Sequence, residues 1–207
     1  LAGIQPGADQ IVGRSVDGWT AGFPTELALD GRDALVAVGM NRDVLPTTHG
    51  FPARLVIPGL YGYVSATKWL SEIELTTWDA FDGYWIPRGW SKEGPIKTQS
   101  RIDRPRSGSA IEAGRYTFGG VAWAPTRGIG RVEVQIDDGA WHEAELSTPL
   151  SINSWVQWSL DAEVAEGPHT MRVRATDGTG ETQSEQRVPP RPDGVEGWHM
   201  IRFRGTT

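Results

Sequence analysis

The sequence predicts a mostly β chain of two domains, the first mixed α/β and the second a β-sandwich. Short stretches after Ile111 alternate apolar and polar residues between turn signals, which is typical of sandwich strands. The N-terminal part instead mixes short apolar runs with loops rich in Gly and Pro. Residues 95–105 between them have the composition of a linker with a basic bias. We therefore expect domains over residues 1–95 and 96–207.

Composition excludes several classes of protein and site. The 207 residues are 38% hydrophobic and 22% charged, which is ordinary for a globular protein. No run is long and apolar enough for a membrane span, so we expect no membrane segment in this stretch. A net charge of -6 gives no general attraction to nucleic acid, and no nucleic-acid partner is expected. The absence of cysteine excludes disulfides and thiolate metal sites, and we assign no metal ligand.

The first domain is predicted to contain short elements separated by turns. The apolar run within residues 33–40 is short enough for a buried strand. Alternation over residues 69–75 predicts a strand with one solvated face. The other predicted elements are strands over residues 10–16 and 54–57 and a short helix over residues 25–29.

Residues 49–70 carry the strongest chemical signal in the chain. His49, Arg54 and Lys68 are spaced around glycines, where backbone can approach a ligand closely, and Lys68 is expected on a second strand. Three such groups around one loop predict an anion-binding site. The alternative is an ordinary loop whose cations are solvated. Further on, residues 78–90 are rich in aromatic residues without a period, which indicates an irregular loop held by bulky packing anchors.

The second domain is predicted to be an immunoglobulin-like, seven-strand sandwich without the antibody-type disulfide. Val132, Val134 and Ile136 alternate with charged or polar residues, which places one face of their strand in the core. The predicted strands cover residues 116–124, 129–136, 141–146, 155–160, 169–176, 183–188 and 200–203. The predicted buried set is Trp123, Val134, Trp158, Val173 and Val188.

Several motifs together resemble one family. His-Gly-Phe-Pro-x-Arg, followed by Pro-Gly-x-Tyr-Gly and Lys-Trp-Leu, resembles the second half of the molybdopterin-binding domain of the sulfite oxidase family. Gly-Val-Ala-Trp-Ala and the strand Val-Glu-Val-Gln-Ile-Asp-Asp-Gly-Ala-Trp resemble the immunoglobulin-like domain that carries the dimer contact in that family. The resemblance implies a partial molybdopterin-binding domain followed by a dimerisation domain.

The resemblance also implies residue roles. His49, Arg54 and Lys68 would bind the phosphate and ring system of molybdopterin, with Ser65 and Thr67 contributing hydroxyl or backbone groups.

Two further residues would act in catalysis. Tyr84 matches a tyrosine that hydrogen-bonds near the metal, although its neighbours Gly83 and Trp85 depart from the animal and plant pattern. Arg191 matches an arginine that reaches toward the substrate anion, the alternative being a solvated arginine among prolines.

The implied function is two-electron oxo-transfer by a molybdenum-cofactor oxidoreductase. The family's metal-ligating cysteine lies upstream of the matched segment, so we expect a C-terminal fragment that is inactive alone and whose partner is the missing N-terminal segment of the same protein. The other expected partners are a small-anion or oxo-acceptor substrate and a second copy, bound through the immunoglobulin-like domain. Two alternatives stay open, namely a non-catalytic interaction module and a sulfoxide-type reductase of the same fold. The compartment is left open, and it would be extracytoplasmic if the missing part carries an export or membrane segment.

Overall fold

The structure, a computed structural model, describes residues 3–207 and divides into two compact units. The first unit extends to Ile96 and also includes residues 190–194. The second comprises residues 97–189 and 195–207. Leu1 and Ala2, where the sequence was expected to begin inside a domain, lie outside the described residues.

The first unit is built around a small antiparallel sheet. The strands of the whole unit are β1 (Gln10–Ser15), β2 (Thr20–Pro24), β3 (Leu35–Ala37), β4 (Gly39–Met40), β5 (Asp43–Val44), β6 (Arg54–Val56) and β7 (Leu70–Thr76). Three of them form a sheet in the order β2-β1-β7, while β3 pairs with β6 and β4 with β5. Phe23, Leu55 and Val64 are buried in its core. The strands predicted over residues 10–16, 54–57 and 69–75 are confirmed, apart from their end residues.

Helical structure in this unit is limited to single turns. One α-helical turn covers Gly62–Ser65, and 3-10 helices cover Thr25–Ala28, Thr47–His49 and Ile86–Arg88. The helix predicted over residues 25–29 therefore forms as a 3-10 turn. The prediction of a mostly β chain is confirmed, while the helical share of the predicted α/β domain is small.

The apolar run at residues 33–40 does not form the predicted buried strand. Leu35 and Val36, in the short β3, are 53% and 51% exposed, and Val38 is 66% exposed. The prediction was wrong because the two-stranded pair of β3 and β6 leaves this face uncovered by other described residues. Exposed apolar side chains in such a run are typical of a surface that another segment or chain covers.

The second unit is a pair of packed sheets. Its strands are β8 (Gln99–Arg104), β9 (Ala110–Glu112), β10 (Gly114–Trp123), β11 (Ile129–Ile136), β12 (Trp141–Glu143), β13 (Glu145–Leu146), β14 (Val156–Val164), β15 (Gly167–Asp177) and β16 (His199–Thr206). One sheet has the order β13-β14-β10-β8 and the other β12-β11-β15-β16-β9. All pairings in these sheets are antiparallel except that of β9 with β16.

Alternating residues from both sheets form one core. Phe118 of β10 and Val134 of β11 are fully buried there, together with Val173 of β15. Among the predicted buried residues, Val134, Trp158 and Val173 are confirmed, while Trp123 and Val188 are only partly buried.

The strand predicted over residues 183–188 is wrong. Val188 in this stretch forms an isolated bridge with Glu196, and Thr182 just before it forms one with Thr176, but neither bridge extends into a ladder. The side chain of Gln183 is buried instead, where its Oε1 accepts hydrogen bonds from Ser100 Oγ at 2.6 Å and from the backbone of Ala175 at 3.3 Å. A buried amide that bonds to neighbouring elements replaces strand pairing here.

Candidate functional site

The predicted anion site is assembled around the loop that ends at Gly50. The 3-10 helix Thr47–His49 is closed by Gly50 in the left-handed conformation, with φ of 109°. A Cβ atom at Gly50 would lie 3.0 Å from Lys68 Cβ and 3.1 Å from Arg54 Cβ. Glycine is therefore required at this position both by conformation and by space.

Hydrogen bonds hold the cationic side chains against this loop. Arg54 Nη1 donates to the carbonyl oxygen of His49 at 3.2 Å. Lys68 Nζ donates to the carbonyl oxygen of Thr48 at 3.3 Å and lies 4.5 Å from the ring centroid of Trp69. The structure thus brings Arg54 and Lys68 together beside Gly50, the residue that follows His49. We call His49, Arg54 and Lys68 the cationic cluster.

Arg54 carries a nitrogen whose bonding is incomplete. Its Nε is buried and has no hydrogen-bond partner among the residues that the structure describes. A buried N–H without a partner costs free energy that a bound acceptor would recover. Arg54 Nε is therefore a donor without an acceptor among the described residues, and anion binding at the cationic cluster stays a prediction.

Lys68 lies before strand β7 rather than on it, which corrects the prediction. Trp69 takes a left-handed backbone, with φ of 50°, between Lys68 and the first residue of β7. The Trp69 indole N–H donates to the carbonyl oxygen of Thr47 at 2.8 Å, which ties this bend to the 3-10 helix. The bend therefore turns the lysine toward the loop instead of leaving it in a sheet.

A cavity of about 200 Å³ lies beside Lys68. Asp17, Trp19 and Trp69 contribute to its wall. Hydrogen bonds from the Trp19 backbone N–H and from Ser15 lower the pKa of Asp17, and the charge of Lys68 lowers it further. The sequence alone does not single out Asp17, because an Asp-Gly pair predicts a turn and gives no local signal that distinguishes a turn from a cavity wall.

Ser65 and Thr67 are buried, and their hydroxyls face the protein interior. Ser65 Oγ donates to the carbonyl oxygen of Tyr61 at 3.1 Å, and Thr67 Oγ1 donates to that of Gly13 at 3.5 Å. The backbone oxygen of Thr67 accepts from the N–H of Leu55 at 2.9 Å. Both residues thus have structural bonds, and a role in binding a cofactor stays a prediction.

Tyr84 is 40% exposed and has a cationic neighbour. The guanidinium carbon of Arg88 lies 3.7 Å from the centroid of its ring. The ring of Trp85 packs edge-on against it at 5.2 Å. These contacts fix the ring, and the predicted catalytic role of Tyr84 stays a prediction.

Arg191 is exposed and lies in the segment 190–194 that groups with the first unit. The carbonyl oxygen of the next residue, Pro192, accepts a hydrogen bond from Ser91 N–H at 2.7 Å. Gly194 lies against Tyr61, since a Cβ at this glycine would come within 2.6 Å of the Tyr61 hydroxyl. Arg191 is therefore held near the loop after β6, while its contact with a substrate stays a prediction.

Residues 3–207 contain neither a cluster of metal ligands nor a helix suited to a membrane. No group of three or more His, Asp or Glu residues there could hold a metal ion. No helix in that range is long and apolar enough to cross a membrane.

Two family models match consecutive parts of the chain. Residues 1–85 match the oxidoreductase molybdopterin binding domain, and residues 93–190 match the Mo-co oxidoreductase dimerisation domain. Mitochondrial sulfite oxidase of Mus musculus is 29% identical over 195 residues, which cover 82% of this chain and 35% of that protein. The chain belongs to the sulfite oxidase-type family of molybdopterin oxidoreductases. Molybdopterin is the cofactor of this family.

Other relatives in the family differ in their named reaction. NADH nitrate reductase of Solanum lycopersicum is 28% identical over 220 residues, which cover 88% of this chain and 24% of that protein. The crystal structure of the sulfane dehydrogenase SoxCD from Paracoccus pantotrophus is similar to this chain, with a TM-score of 0.78 and 20% identity. The match covers 100% of this chain and 59% of the SoxCD chain. This likeness shows the fold. The chain spans about a third of the length of the sulfite oxidase that it matches.

Proposed function

We propose that this chain is the C-terminal part of a molybdenum-cofactor oxidoreductase of the sulfite oxidase type, and that the cationic cluster binds molybdopterin. The observation that carries the proposal is the buried Nε of Arg54, which has no hydrogen-bond partner among the described residues. The donors of Arg54 and Lys68 around a glycine without space for a side chain fit the phosphate of the cofactor. When bound, the cofactor supplies a metal centre that exchanges two electrons during oxo-transfer.

In this proposal the residues of the chain bind and orient. Arg54 and Lys68 donate charge-assisted hydrogen bonds to phosphate oxygens, and His49 provides a further donor next to Gly50. Tyr84 would form a hydrogen bond near the metal, and Arg191 would reach toward the substrate anion. The sequence has no cysteine that could bind molybdenum, so the chain alone is expected to be inactive.

The exposed apolar residues of the first unit support the proposal that another segment of the same protein covers it. Leu35, Val36 and Val38 are each more than half exposed, and the related sulfite oxidase is about three times longer than the matched region. Burial of such a surface by the remaining polypeptide removes it from water. The substrate is proposed to be a small oxo-anion, as the nitrate reductase and sulfite oxidase names suggest for those relatives.

Cofactor content tests the proposal without relying on activity. The complete protein is purified as wild type, Arg54→Gln and Lys68→Gln, and its pterin is released, oxidised and measured by fluorescence, with molybdenum measured in parallel. Each lost charge-assisted hydrogen bond is worth about 1.5–3 kcal/mol, so retained cofactor after dilution should fall roughly tenfold or more. Arg106→Gln, an exposed arginine of the second unit, is the control. Wild-type pterin content in both cluster variants would refute the proposed site.

A further inference from the structure

A second cavity, of about 490 Å³, lies entirely within the second unit. Its wall includes Trp123, Trp155, Arg101, Arg187 and His199. The volume falls within the range of roughly 300–1,000 Å³ that is usual for small-molecule sites. None of these residues belongs to the cationic cluster, so this cavity shares no residue with the proposed cofactor site.

Two tryptophans contribute apolar ring faces to the cavity. The ring centroids of Trp123 and Trp155 are 6.2 Å apart, with their planes at 50°. The Trp123 indole N–H donates to the carbonyl oxygen of Asn153 at 2.9 Å, which fixes the orientation of that ring. Trp155 is 51% exposed and has the guanidinium of Arg101 5.3 Å from its centroid. Ring faces that are already oriented favour stacking of a planar ligand.

The charges around the cavity favour an anion. Arg101 is paired with Asp103 at 2.7 Å, and Glu196, which also lines the wall, is paired with Lys97 at 2.5 Å. For Arg187, by contrast, the structure shows no side-chain hydrogen bond or ion pair within the described part of the chain. Its guanidinium therefore leaves an uncompensated positive charge at the cavity.

His199 adds a neutral donor of defined tautomer. Its Nδ1 accepts a hydrogen bond from the backbone N–H of Ile102 at 3.1 Å, which leaves the proton on Nε2. Burial lowers the pKa of His199, and the charges of Arg101 and Arg187 lower it further against the opposing effect of Asp103. The imidazole is therefore neutral at about pH 7, and its Nε2–H is a donor that is not used by Ile102.

We propose that this cavity binds a small planar anion of the aromatic carboxylate class. The ring stacks on the half-exposed Trp155 and contacts Trp123 at an angle, and the carboxylate accepts hydrogen bonds from Arg187 and from His199 Nε2–H. Arg187 supplies charge complementarity, while the tryptophans supply most of the apolar contact.

Isothermal titration calorimetry with 2-naphthoate tests the proposal on the protein of 207 residues. The uncharged 2-naphthamide serves as the matched ligand control, and Arg106→Gln as the matched protein control. We expect one saturable site for naphthoate, with affinity that falls about tenfold or more for naphthamide, for Arg187→Gln and for Trp155→Leu, and is unchanged in Arg106→Gln. No saturable binding, equal binding of the amide, or unchanged affinity in Arg187→Gln would overturn the proposal.

The same samples distinguish a ligand site from a contact between copies. Circular dichroism establishes that each variant is folded, and if Trp155→Leu does not fold, Arg187→Gln and the amide still decide the result. Sedimentation equilibrium is run with and without naphthoate. A wild-type dimer that excludes naphthoate and becomes monomeric in Trp155→Leu would show that the cavity is a subunit interface, which overturns the proposal.

Discussion

Asp177 is a buried carboxylate that joins three segments of the second unit. It accepts hydrogen bonds from Arg127 Nε at 2.8 Å, from Thr98 Oγ1 at 2.9 Å and from Thr179 Oγ1 at 2.6 Å, and its side chain is fully buried. Burial alone would raise the pKa of Asp177, but the hydrogen bonds from Thr179, Arg127 and Thr98 outweigh it and hold the pKa far below its usual range. The charged form is therefore the one that stabilises the fold.

Replacing Asp177 by alanine should strongly destabilise the second unit. The substitution leaves the Arg127 guanidinium without its carboxylate, and breaking such a buried pair costs about 3–5 kcal/mol. Urea unfolding measures the change, with Asp138→Ala as control because the side chain of Asp138 is 75% exposed. Equal unfolding midpoints for the two variants would contradict this role. Since the pKa is lowered, the stabilisation is present above about pH 4 and is lost as the pH falls further.

His169 provides a pH-dependent contribution of opposite sign. Its Nδ1 contacts the carboxylate of Asp137, and its Nε2 lies 2.8 Å from the carbonyl oxygen of Ala165. The hydrogen bond with Asp137, followed by that with Ala165, raises the pKa of His169. Because both partners are acceptors, the doubly protonated imidazolium satisfies them best.

The pH profile of stability should therefore depend on His169. A raised pKa in the folded state gives a stabilisation that is complete below about pH 6.5 and is lost as the pH rises through the folded value. The difference in melting temperature between wild type and His169→Gln should shrink from pH 6 to pH 8.5. The control is His142→Gln, at an exposed position of β12. A pH-independent difference for His169→Gln would exclude this coupling.

At the scale of elements, strands with one buried face were predictable and their exceptions have physical causes. Strand β11, Ile129–Ile136, was predicted with both end residues correct, because its alternation of Val with charged residues matches the two-residue period of a sheet. The stretch at 183–188 has a single apolar residue, and the amide of its Gln183 instead forms hydrogen bonds to Ser100 and Gly197 in the interior. The local pattern of apolar and polar residues does not reveal hydrogen bonds to residues that are distant in the sequence.

The register of β11 leads to a direct prediction. Val134→Asp would place an unpaired charge at a fully buried position. The free-energy cost of burying that charge is large compared with the roughly 5–15 kcal/mol of net stability of a typical domain. We expect differential scanning calorimetry to show that the cooperative unfolding transition of the second unit is lost or that its midpoint temperature is strongly lowered. Gln135→Asp on the same strand is the matched control, because the new carboxylate would lie beside Arg172. An unchanged transition in Val134→Asp would mean that the register is shifted by one residue.

The cationic cluster shows how far a site can be predicted from sequence. His49, Arg54 and Lys68 were selected from one motif, and the structure places Arg54 and Lys68 around Gly50. Asp17 and Trp19, from the turn between β1 and β2, line the adjacent cavity and were missed, because their proximity to Lys68 arises from the pairing of β1 with β7. Contacts that depend on pairing between distant strands leave no local signature.

At the scale of the whole molecule, the match of residues 93–190 to a dimerisation domain supports a proposed homodimer. The ring centroids of Trp141 and Trp198 in this unit lie 4.9 Å apart, whereas Trp155 is half exposed. A standard interface buries about 800 Å² per partner. Sedimentation equilibrium at micromolar concentration should give about twice the 22.6 kDa of the chain. A monomer mass over the whole range would remove dimerisation as a property of these residues.

The most direct test of the central claim is a crystal structure of the complete protein with molybdopterin bound. In that structure we expect Arg54 Nε and Lys68 Nζ each to lie within about 2.7–3.2 Å of a phosphate oxygen of the cofactor, beside Gly50. Arg54 Nε would thereby acquire the hydrogen-bond partner that the described residues do not supply. A cofactor phosphate bound elsewhere, with Arg54 Nε still unpaired, would contradict the account.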